Sequence, residues 1–66
     1  MTKIKQQVLR WMKNRICSND PEFLDLQTGE IDCTLLAEGA ADEFDHPEWL
    51  DDDCHWVWDM AVEVSQ

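Results

Sequence analysis

Apolar side chains recur every three or four positions in three stretches of this 66-residue chain, and that spacing predicts three helices. In the first, about residues 2–17, Ile4, Val8, Met12 and Ile16 form a stripe spaced by four, flanked by Leu9 and Trp11. Lys3, Gln7, Arg10, Lys13 and Asn14 fall on the opposite side. Lys5 and Arg15 project near the stripe, where their stems can cover it while their charges reach water. The helix holds no acid, so no ion pair one turn apart supports it from within.

The second helix, about 33–45, has the clearest start signal. Asp32 suits the N-cap, and Ile31 can meet Leu36 as a hydrophobic staple. Cys33, Leu36, Ala37, Ala40, Ala41 and Phe44 share a face of mostly small residues that permits close packing. Gly39 costs about 1 kcal/mol of helix propensity relative to Ala, which points to close approach or a bend. The third helix is expected at about 54–65, capped by Asp53, with Val57, Met60, Ala61 and Val64 inward. Trp56 and Trp58, about 200° apart, flank that stripe and cannot both point into one core. One can sit at the bundle edge as a binding anchor, or Trp49 or the 23–26 loop can cover the second ring.

Between the helices the chain reads as an ordered loop over 18–31 and a turn over 46–53. Pro21 stops the first helix, and Asp20 can cap a single turn through Phe23 and Leu24. Phe23, Leu24 and Leu26 are apolar enough to pin the loop on the core, and Thr28-Gly29 reads as a tight turn. Pro47 opens a short turn carrying Glu48, Trp49 and Leu50. No internal repeat, low-complexity tract or heptad pattern is expected. The fold class predicted is all-α: one small three-helix domain with an ordered apolar loop between helices 1 and 2.

Size narrows the picture. A chain of this length buries only roughly 60% of its unfolded surface, so its core is thin and four Trp are a means of filling it. Docking or dimerisation would supplement it. Three cysteines at wide, irregular spacing do not suit a secreted disulfide scaffold. The N-terminal stretch lacks a signal-peptide apolar run, and no segment reaches the ~18 apolar residues of a membrane span. A reduced, cytoplasmic protein is expected.

Charge is distributed with a sharp boundary along the chain. Every lysine and arginine lies between Lys3 and Arg15, and all fifteen acids lie from Asp20 onward, for a net charge of −10. Asp42, Glu43, Asp45, Glu48, Asp51, Asp52 and Asp53 crowd into twelve residues with no lysine or arginine among them. Such a run either keeps a small domain soluble or directs it to a basic partner protein. Its charge density approaches that of a nucleic-acid backbone, so a mimic of nucleic acid is the sharpest form of the idea. The cationic first helix can pack its stripe inward while its flanking charges neutralise nearby acids. Alternatively it can face the acidic part of a second copy in a homodimer. Direct binding to nucleic acid or a membrane is disfavoured, because the acids would repel phosphates.

No reaction is named by these residues. Cys17, Cys33, Cys54, His46 and His55 include metal-ligand types, but the paired spacing of zinc modules is absent. Asp51-Asp52-Asp53 lacks the alternating ligands and glycine of a calcium loop. Cys54 and His55, adjacent on a helix, diverge too far to work as nucleophile and base. Leu35–Ala41 resembles a helix-turn-helix pattern, but the acidic segment after it could not meet DNA. The expectation is a small acidic, non-enzymatic interaction protein, without cofactor or metal, acting as regulator, adaptor or inhibitor. Its contact residues would be the seven acids from Asp42 to Asp53 with Trp49 and Trp56. The alternative is a self-associating structural subunit.

Overall fold

The computed structural model describes residues 3–66, and the expected helical start at residue 2 lies outside them. Three α-helices form the domain: α1 (Lys3–Cys17), α2 (Cys33–Glu43) and α3 (Trp56–Ser65). Single 3-10 turns lie at Pro21–Phe23, Pro47–Leu50 and Asp52–Cys54. The chain packs into 31 × 21 × 20 Å. No helix among the described residues is long and apolar enough to cross a membrane.

The first two helices end in the same way. Asn19 and Asp45 adopt left-handed backbone, with φ of 55° and 56°. Asn and Asp tolerate that region better than other residues with a Cβ. Each closes a Schellman motif. The Asp20 and Asn19 amides donate to the Arg15 and Ile16 carbonyls, both at 3.1 Å. The His46 and Asp45 amides donate to Ala41 and Asp42, at 2.8 and 3.1 Å. A proline then starts a 3-10 turn that swings an aromatic back into the core: Phe23 after Pro21, Trp49 after Pro47. The segments Pro21-Glu22-Phe23-Leu24-Asp25 and Pro47-Glu48-Trp49-Leu50-Asp51 differ only in the aromatic. A short internal repeat is therefore present where none was expected, because its function is punctuation and it lies outside the helical periodicity.

Both aromatic turns pack on α2, whose small face lies at the centre of the domain. Phe23 lies across Gly39, where an added Cβ would overlap Phe23 Cε1 and come within 3.1 Å of Trp11 Cη2. Close approach explains the glycine. Asp32 caps α2 as expected, its Oδ1 accepting the Thr34 amide at 2.8 Å. Val8, Met12, Leu36, Ala37, Ala40, Val57 and Ala61 are fully enclosed, joined by Ala41, Phe23 and Trp49.

Several expectations change. The loop does fold back, with a single bridge between Leu24 and Ile31 and a glycine turn at Gly29 (φ 74°). Leu26 does not pin it: at the tip of that turn it is 93% exposed. Helix α2 stops at Glu43, two residues early, because the left-handed Asp45 ends it. Helix α3 starts at Trp56, after a 3-10 turn in which the Cys54 amide donates to the Asp51 carbonyl at 3.0 Å. Asp53 belongs to that turn and does not cap α3. His55 holds the cap position, its Nδ1 turned back to the Asp52 carbonyl at 2.8 Å.

Candidate functional site

A concavity of about 580 Å³ lies where α1, the first 3-10 turn and α2 meet. Its floor is Trp11 and Phe23, packed edge to face with centroids 5.4 Å apart. Five carboxylates surround the floor: Asp20 and Glu22 from the turn, Glu38, Asp42 and Glu43 from α2. Leu35, at the surface, adds apolar wall. Each element brings its acids by a local rule. Asp20 and Glu22 flank Pro21 at the head of the turn, where Asp20 Oδ1 accepts the Glu22 amide at 3.1 Å. Glu38 and Asp42, four apart, share the outward face of α2 because Ala37, Ala40 and Ala41 occupy the inward one. Glu38 and Asp42 also border a second concavity of about 280 Å³, with Asp45, Pro47 and Leu50. Together they form an acidic ridge between two hollows.

The cations of α1 form no close ion pair with these acids, although Arg15 lines the same hollow. Among the described residues no lysine or arginine lies within 4.0 Å of a carboxylate. Lys5 Nζ lies instead over the Trp56 ring, 5.2 Å from its centroid, and the Arg15 guanidinium lies over Trp11 at the same distance. The expected neutralisation of nearby acids by helix 1 therefore does not proceed through close ion pairs within the described residues. Arg15 and Lys5 sit beside the apolar stripe, where the neighbouring polarisable surfaces are indole faces. The Trp11 site thus holds a guanidinium over its ring at the edge of an acidic hollow. The Trp11 Nε1–H is buried without an acceptor.

The seven acids expected as one arc fall into four groups. Asp42 and Glu43 line the larger groove and Asp45 the smaller one. Glu48 bonds His46, and Asp51, Asp52 and Asp53 stand exposed at the third 3-10 turn. The two tryptophans also move in role. Trp49 is only 6% exposed, enclosed by Phe44, His46 and Trp56, so it is a core residue, where an exposed contact was expected. The 3-10 turn that follows Pro47 drives its ring inward. Trp56 is half-buried, with Trp49 at 4.8 Å and Lys5 against its ring. Sequence reading missed Asp20, Glu22 and Glu38, which are distant in sequence from the dense acidic run. The repeated Pro-Glu-aromatic segment was the available signal for the turn that brings the first two there.

Glu48 gives a testable pH signature. His46 Nδ1, 2.7 Å from Glu48 Oε1, holds that carboxyl below its ordinary value through their hydrogen bond. A carboxyl with a lowered folded-state pKa adds stability that is fully present above the unfolded value of 4.5 and lost as pH falls through the lowered one. The melting temperature of Glu48→Gln should therefore fall below that of the parent at neutral pH. The gap should close as pH falls below 4.5 and through the lowered value. A gap that stays constant over that range would contradict the assignment.

The described residues bring together no group of three histidine, cysteine or acidic side chains able to hold a metal ion. No protein-family model matches the chain, and no curated protein or solved structure shows significant similarity to it.

Proposed function

We propose that this chain is a small acidic docking protein, with no catalytic role, that binds a basic surface on another protein through the face of α2. The observation that carries this reading is the groove over Trp11 and Phe23. Five carboxylates border it, and none has a lysine or arginine within 4.0 Å. Unpaired acids around an apolar floor suit a partner's arginine or lysine side chains: the carboxylates steer and pair with the charge and the floor covers the stem, beside the chain's own Arg15 on Trp11. This shifts the binding surface from the Asp42–Asp53 run toward Asp20, Glu22, Glu38, Asp42 and Glu43. Regulator, adaptor and inhibitor are all roles such a docking surface can serve. A partner whose own basic groove holds nucleic acid is the sharpest case. Cytoplasmic location belongs to the same proposal, with the free thiols of Cys17, Cys33 and Cys54 as its support.

Affinity capture from cell lysate, with mass spectrometry at low and moderate salt, tests the mechanism. Recovery of a basic protein should drop roughly tenfold or more between ~50 and ~200 mM salt. Displacement of that protein by duplex DNA would identify a nucleic-acid-binding partner. Capture that ignores salt would sink the charge-led mechanism.

A further inference from the structure

A second concave surface lies between α1 and α3, away from the acidic face of α2. Leu9 and Ile16 of α1 and Met60 and Val64 of α3 line a groove of about 380 Å³. All four are half-buried on the outer flanks of their helices, beyond the enclosed Val8, Met12, Val57 and Ala61. Its charges are arranged asymmetrically. Lys13 stands on the α1 side and Glu63 on the α3 side, both exposed and with no ion pair between them. Arg10 and Asp59, one turn away on the same helices, extend each ridge with the same sign.

We propose that this groove is the interface of a two-fold symmetric homodimer. A surface that is positive on one side of an apolar groove and negative on the other complements a copy of itself. A two-fold axis along the groove lays α1 of each chain over α3 of its partner. Each Lys13 then faces a Glu63, twice per interface, and the apolar flanks of both helices are covered. A wholly basic or wholly acidic partner would match one ridge and be repelled by the other. The thin core of a 66-residue domain adds a reason, since dimerisation brings further apolar surface out of water. The symmetric arrangement closes at two chains, because each copy's groove is fully used by the other.

The inference is independent of the docking role, and salt separates the two. Two chains of net charge −10 repel, so screening should tighten the dimer while it weakens capture of a basic partner. Sedimentation velocity of the full chain, from micromolar to millimolar concentration, should show the mass rising to two chains and no further. Lys13→Glu and Glu63→Lys alone should each weaken dimerisation by roughly tenfold, through like charges brought face to face. The double swap should restore it to within a few-fold, because the pairing is only inverted. Both sites are exposed, so circular dichroism should show unchanged folding. A monomer throughout, mass growth beyond two chains, or failure of the double swap to restore association would overturn the proposal.

Discussion

Trp49→Ala is expected to leave the chain largely unfolded at room temperature. Trp49 is 6% exposed, with His46 stacked at 4.5 Å, Trp56 at 4.8 Å and Phe44 at 6.0 Å. Truncating a buried Trp removes its transfer free energy and leaves a cavity, together about 3–5 kcal/mol. A core this small rarely supplies more than roughly 3–5 kcal/mol in total, so one such loss consumes the whole margin. Near-UV circular dichroism should flatten, and urea unfolding should lose its cooperative transition. A variant melting cooperatively within a few degrees of the parent would show that Trp49 is dispensable to the core. Trp49→Phe, which keeps a ring on α2, should stay folded with a lowered urea midpoint. Loss of partner binding in Trp49→Ala would then report unfolding, and no direct contact by this ring.

Reversing the ridge with Glu38→Lys and Asp42→Lys should weaken capture of the basic partner by about 2–3 kcal/mol, roughly 30–150-fold. These two carboxylates border both hollows on α2, so a bound cation would meet them from either side. Both are exposed, and their replacement exchanges one like-charged pair at i,i+4 for another, so helix stability should change little. The matching reversal of Asp52 and Asp53, outside either hollow, should cost much less and mainly slow association. Titration of the captured partner at fixed salt checks both pairs. Equal losses would return the binding surface to the dense acidic run, and no loss in either would remove the acidic face from the mechanism.

The expected stripes of α1, α2 and α3 match the enclosed residues at Val8, Met12, Leu36, Ala37, Ala40, Ala41, Val57 and Ala61, whereas Ile4, Ile16, Met60 and Val64, expected in the same stripes, are only half-buried. Helical periodicity is a local signal, and burial follows it wherever three amphipathic faces must cover one another. Helix ends were less legible. The stops at Pro21 and Pro47 were plain, but the left-handed Asn19 and Asp45 that close the Schellman motifs carry no periodic signature. The shift of α3 from 54 to Trp56 has a related origin: three consecutive Asp suit a helix start and a 3-10 turn equally well.

The candidate site was the least legible part. A run of acids is visible in sequence only where it is dense, as from Asp42 to Asp53. A groove collects residues by proximity in space, and Asp20 and Glu22 reach it only because Phe23 is drawn onto Gly39. The cations show the same limit. Their number and position on α1 were evident, but their nearest ordered partners are the indoles of Trp11 and Trp56, brought close by packing.

By itself, then, the sequence determined the fold class, the inward stripes, the Asp20 and Asp32 caps and the segregation of positive from negative charge. Each depends on neighbours within about one helical turn. Only the tertiary structure decided that Trp49 is core, that Leu26 is not, and which carboxylates surround a common hollow. It also decided that Lys13 and Glu63 stand on opposite sides of one apolar groove. These are relations between residues far apart in the chain, and they exist only once the aromatic turns and the three helices have closed on the small face of α2.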